Sequence, residues 1–183
     1  MVKKLELKKQ IGLYWPPAVT VDIVIFSIEG GYLKTLLIKR VQSPFENQWA
    51  LPGGFLLRDE NPEKGALRIL KDKAGIKNIY IEQLYTFSGM GRDPRGDIIT
   101  IAYFALVPIN KIKIIKTKKT QTPKFHTLKK LPKLAFDHRH IIKYSLKRLQ
   151  SKLEYTNIVY SLLPAYFTFN QLQESGKGPL ESL

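Results

Sequence analysis

The chain has 183 residues, a formal charge of +15 and 44% hydrophobic residues, which suits one ordinary domain or one domain with a small appendage and is enough to bury a core. It contains no cysteine, which excludes a disulfide framework and a thiolate metal site. No stretch reaches the ~18 consecutive apolar residues of a membrane span, and the basic lead 1–10 is not followed by an apolar run as a signal peptide would be; the expected compartment is the cytoplasm, with no membrane partner.

Residues 1–17 form a basic lead that ends in Pro16-Pro17, which stops any helix. Residues 18–26 read as a β-branched strand, Gly30-Gly31 as a turn and 32–40 as a second strand, so the two make a hairpin. A polar loop over 41–48 leads to Trp49, and the short segment 49–55 is broken by Pro52, Gly53 and Gly54. Asn61 can cap a helix with Pro62 in its first turn. Ala66, Leu67, Leu70 and Ala74 give that helix one apolar stripe, and Gly75 ends it. Strands are expected over 79–87 and 97–107, an irregular edge strand near 112–122, and a helix over 137–155 with Ile141, Ile142, Leu146, Leu149 and Leu153 on one face.

The charge is uneven. Nine lysines, one histidine and no acidic residue lie between Lys111 and Lys133. Two readings stay open: a polyanion partner such as nucleic acid, or solvated faces in a lysine-rich composition.

The chemistry gathers after Gly54. Glu60 follows it by six positions and Arg68 follows Glu60 by eight, with Leu70, Gly75 and Ile76 beyond. Together with Trp49-Ala50-Leu51-Pro52-Gly53-Gly54 this resembles the Nudix box, G-x5-E-x7-R-E-U-x-E-E-x-G-U, where U is a bulky aliphatic. The resemblance implies an α+β fold, an α/β/α sandwich with a mixed sheet. Carboxylates one turn apart on a helix converge on one face and can hold Mg2+ or Mn2+ between them. The metals neutralise a pyrophosphate and activate a water. This chain departs from the box on that face, where Ile69, Asp72 and Lys73 replace three glutamates. Ile69 offers no oxygen, and Lys73 puts a cation where a divalent ion would sit. Two unit charges 4 Å apart cost roughly 4 kcal/mol at an effective dielectric of 20. The residual catalytic candidates are Glu60, Arg68 and Asp72, and the weak metal candidates are Glu60 and Asp72, with Glu63 and a backbone carbonyl near Gly53 able to assist one weak metal. A Glu60–Arg68 ion pair needs no metal at all.

Other stretches, among them 19–26, 36–40, 44–45, 92–96 and 134–138, resemble the branch that holds ADP-ribose pyrophosphatases and the Nudix-related transcriptional regulators called NrtR. That resemblance implies an ADP-ribose-like ligand, with no cofactor needed for binding and Mg2+ or Mn2+ needed only for hydrolysis. Arg40 and Arg95 are candidates for a diphosphate, since a guanidinium fork matches phosphate oxygens. The loop-borne Arg92 is a further ligand candidate, although with Asp93 it could instead fix its loop. Gly53 and Gly54 allow close backbone approach. Trp49 and Phe45 could stack on adenine or fill core. Asp137 reads as a helix cap and His138 as a surface residue. The expected division is a Nudix-like domain over 1–135, then a linker helix and an incomplete, winged-helix-like segment over 136–183. After Thr168 and Gln171, which make a capping box, Gly176, Gly178 and Pro179 leave no room for a recognition helix, so DNA binding by this chain is doubtful. The apolar stub Ile158, Val159, Leu162, Leu163, Tyr166, Phe167 and Phe169 must pack on the Nudix-like domain or on a second copy, and a homodimer is the expectation. Three functions stand: a non-catalytic ADP-ribose-binding domain related to a regulator, an ADP-ribose hydrolase yielding AMP and ribose 5-phosphate, and a polyanion binder using the 111–133 lysines.

Overall fold

A computed structural model describes residues 17–112 and 121–155. The expected winged-helix-like segment, its dimerising apolar run and the centre of the lysine-rich stretch lie outside these residues.

Strand β1, Ala18–Glu29, organises the fold. It pairs along its length with β6, Ile98–Leu106, in parallel register (Val21 opposite Ile101, Val24 opposite Phe104). On its other edge the partner changes. The second half of β1 pairs antiparallel with β2, Tyr32–Lys39, through the Gly30-Gly31 turn, where both glycines have positive φ. The first half pairs antiparallel with β4, Gly53–Phe55. The outer edge of β2 takes β7, Lys124–Thr127, and the two-residue β3, Trp49–Ala50, while β5, Glu82–Phe87, flanks β6. Seven strands thus form a mixed sheet among the described residues. The lysine-rich region contributes β7 at 124–127, where Phe125 and His126 stand opposite Leu36 and Thr35 of the apolar β2; the edge strand expected near 112–122 lies mostly outside the described residues.

Asp22 aside, the buried stretch 21–26 of β1 is apolar on both faces, as befits a strand paired in parallel inside a sheet covered on both sides. Val21, Ile23 and Ile25 pack on Ala66, Ile69, Leu70 and Ala74. Val24 and Phe26 pack in the opposite core with Ile141, Ile142, Leu146 and Leu149. The first set of partners belongs to α1, Pro62–Ile69, and its continuation, Leu70–Ala74. The second belongs to α2, His138–Tyr155. The result is an α/β/α sandwich in which α2, the helix read from sequence as a linker, lays its apolar face on the sheet.

Helix α1 starts where the cap predicts: Asn61 Oδ1 accepts from the Glu63 backbone N–H at 2.9 Å. Its last turn widens to π geometry over Leu70–Ala74 and stops at Gly75, φ 71°. Nothing in the apolar periodicity announces that wider turn.

Candidate functional site

Because β1 changes partner, β2 and β4 diverge and leave a cleft of about 260 Å³ over the middle of β1. Its walls carry Arg40 from the end of β2, Gly53 and Gly54 from β4, Arg68, Ile69 and Lys73 from the helix, Arg92, Asp93 and Arg95 from the loop before β6, and Phe136 and His138 at the start of α2. Of the sequence candidates, Arg40, Gly53, Gly54, Arg68, Arg92 and Arg95 come together here, whereas Trp49, Glu60 and Asp72 do not line the cleft. Trp49 packs against the core on the α2 side and meets the His126 ring at 4.4 Å.

The floor is a buried ionic network. Asp22, 6% exposed, places Oδ1 at 3.5 Å from His138 Nε2, and its other oxygen lies 3.9 Å from Arg92. The Leu51 backbone N–H donates to His138 Nδ1 at 2.9 Å, so the ring proton sits on Nε2, facing Asp22. Burial raises the Asp22 carboxyl, but the His138 ring and the Arg92 charge outweigh it and hold the group below its ordinary value. The surface placement expected for His138 is therefore corrected: it is 4% exposed, because its two nitrogens tie the 51–53 turn to β1.

Arg92 belongs to the same network. It donates to both Asp137 oxygens at 2.9 and 3.0 Å and to the Ile98 carbonyl at 3.3 Å, with a side chain 8% exposed. Those contacts brace the loop against α2. Asp137, read as a cap, stands at the start of α2 with its carboxylate holding Arg92.

Arg40 and Arg95 face the cleft differently. Arg95 is gripped by Asp93 at 2.6 and 2.9 Å, and its guanidinium carbon lies 5.2 Å from the centre of the Phe136 ring and 4.9 Å from that of Phe55. Burial raises the Asp93 carboxyl, but Arg95 lowers it further, so it stays charged. Arg40 donates to the Pro44 and Gln42 carbonyls and lies 4.7 Å from the same Phe136 ring. Burial and the neighbouring Arg95 lower its pKa, the mark of two like charges held at one site. Phe136, with φ 54°, also meets Phe45 edge-on at 4.9 Å.

Helix α1 answers the metal question. Arg68 takes both Glu60 oxygens at 2.6 and 2.8 Å, and the Leu57 N–H adds a third bond at 3.0 Å. Arg68 chiefly, with that N–H, lowers the Glu60 pKa to about 2. Ile69 is 2% exposed in the core. The Lys73 Nζ donates to the Gly53 carbonyl at 2.5 Å, so a cation already occupies the backbone oxygen expected to help a metal. Among the described residues no three His, Asp or Glu side chains gather as a metal site would need. This donor set does not fit a divalent ion, and no chemical step is derived through one.

Sequence reading missed Asp22 and Phe136 as site residues. Asp22 left a signal, a carboxylate in the middle of an apolar strand. Phe136 left none, since its role comes from where the chain turns into α2.

Comparison with known proteins agrees with this architecture. The chain is 39% identical over 164 residues to an ADPR-responsive transcriptional repressor of Acinetobacter baylyi, an alignment covering 87% of this chain and 65% of the repressor's length. It is 40% identical over 143 residues to an ADP-ribose pyrophosphatase of Methanocaldococcus jannaschii, covering 78% of this chain and 80% of that protein. The NUDIX domain of Shewanella oneidensis NrtR, solved with ADP ribose, superimposes with a TM-score of 0.66 at 36% identity, over 75% of this chain and 92% of that one. The NUDIX domain model matches residues 16–145, and the chain belongs to that family.

Proposed function

We propose that the cleft binds a nucleotide of the ADP-ribose type and releases it uncleaved, so that the domain serves as the ligand-sensing part of a regulator. The observation that carries this reading is the Lys73 ammonium on the Gly53 carbonyl at 2.5 Å, beside the buried Ile69. A cation and an alkyl group occupy the helix face whose oxygens would grip a metal. Binding chemistry is nonetheless present. Arg40, Lys73 and Arg95 supply positive charge for a diphosphate, and the Phe136 and Phe55 rings offer apolar surface beside it.

Calorimetry with ADP-ribose in EDTA tests binding, and chromatography of the nucleotide with Mg2+ or Mn2+ present tests cleavage. Heat in EDTA without AMP formation is the expected result. Hydrolysis is the second reading, favoured by the 40% identity to a pyrophosphatase and the retained Glu60. Metal-dependent AMP release that disappears in Glu60→Gln would establish it. A homodimer through the apolar run at 158–167 belongs to the same proposal, and monomers in analytical ultracentrifugation at micromolar concentration would reject it.

A further inference from the structure

Lys73 has more to offer than its obstruction of a metal. An ammonium has three N–H donors. One reaches the Gly53 carbonyl, and no other hydrogen-bond acceptor is seen for Lys73 among the described residues. The group lies on the wall of the cleft, against Gly54, where a Cβ would stand 3.5 Å from Nζ and the absent side chain leaves the ammonium open to a ligand. Across the same cleft, Arg40 and Arg95 converge on the Phe136 ring at 4.7 and 5.2 Å. Burial lowers the Lys73 pKa, and Arg40, Arg95 and Arg68 lower it further against the pull of Asp22. An anion placed among these groups would relieve both the desolvation and the repulsion. A diphosphate has the charge and the oxygens to do so.

We infer that Lys73 is a built-in counter-ion: its ammonium, held on the Gly53 carbonyl, pairs directly with the diphosphate of the bound nucleotide and takes the place a divalent cation has in the family's box. This inference rests on the reading of the cleft as a diphosphate-nucleotide site. It makes binding independent of metal by construction, because the neutralising charge is covalently part of the chain. Added Mg2+ then gains no carboxylate cluster among the described residues, meets like charge at Lys73 and competes for the ligand's own oxygens.

The test uses calorimetry on the full chain with two probes, ADP-ribose and inorganic diphosphate, each in EDTA and in millimolar MgCl2. The wild type should bind both in EDTA, and Mg2+ should leave the affinities unchanged or weaken them. Lys73→Met keeps length and apolar stem while removing the charge. It should weaken both probes by about tenfold or more, the scale of one charge-assisted hydrogen bond. Equal affinity in wild type and Lys73→Met would overturn the inference and leave the reading of the cleft standing. Lys73-dependent uptake of diphosphate without any uptake of ADP-ribose would overturn the nucleotide reading of the cleft, and with it the inference as stated, leaving a bare diphosphate site at Lys73. The metal arm needs no variant: a wild-type affinity that rises about tenfold or more on adding Mg2+ overturns the inference even if Lys73→Met fails to fold.

Discussion

Arg92 and Asp137 form a two-pronged ion pair, at 2.9 and 3.0 Å, between the loop before β6 and the residue just ahead of α2. The Arg92 side chain is 8% exposed, and the same guanidinium lies 3.9 Å from buried Asp22. The loop that carries Arg95 to the cleft is therefore anchored from beneath.

Removing that anchor should be costly. Arg92→Ala leaves two carboxylates without their cation, one of them deeply buried, and breaking such a pair typically costs about 3–5 kcal/mol. Asp137→Asn keeps hydrogen bonding and should cost less. Urea unfolding of both single variants and the double variant gives the coupling energy. A change below ~1 kcal/mol for Arg92→Ala would contradict the burial argument.

Gly53 and Gly54 should respond unequally to the same methyl group. A Cβ at Gly53 would stand 1.8 Å from Asp22 Oδ1, inside the buried network. At Gly54 the nearest atom is the end of Ile69 at 3.2 Å, which can shift by tenths of an ångström. Gly53→Ala should therefore lower Tm clearly, with a cost of about 1–3 kcal/mol or more, and Gly54→Ala much less. Equal melting temperatures would refute this.

Acid should reveal the Glu60–Arg68 pair. The folded-state pKa of Glu60 is about 2, below the ordinary carboxylate value of 4.5. A depressed carboxyl pKa contributes stability that is fully present above the unfolded value and is lost as pH falls through the folded one. The contribution should fade between about pH 5 and pH 2. Glu60→Gln should be less stable than wild type at neutral pH and should lose less between those limits. Urea midpoints measured across that range check the sign.

Phe136 should matter to the ligand through the guanidiniums it orders. Arg40 and Arg95 both lie over or beside its ring. Each exposed contact of this kind is worth about 0.5–1 kcal/mol. Phe136→Leu keeps apolar bulk but removes the π face, and should weaken ADP-ribose by a few-fold (about 1 kcal/mol) with little change in Tm. Arg95→Ala should weaken it more, since it removes a cleft guanidinium outright and leaves buried Asp93 with the residue-95 backbone N–H but without that cation. Titration calorimetry of both variants against wild type gives the comparison.

Local rules on the page of residues were enough for the hairpin, the Asn61 cap, the Gly75 stop and the spacing of Gly54, Glu60 and Arg68, because each depends on neighbours within a few positions. The same spacing already displaced Ile69 and Lys73 from any metal-binding role, since side-chain chemistry does not depend on packing. Tertiary structure alone decided which cleft arginine is tied into the buried network and which stays open to solvent. Arg92 and Arg95 are three apart on one loop with the same chemistry. One meets Asp137, 45 positions away, and the other turns with Asp93 toward the Phe136 ring. It likewise buried His138 between Leu51 and Asp22, a position that no local pattern encodes. Charge and periodicity are properties of short segments, whereas burial and partner choice arise only when distant segments meet.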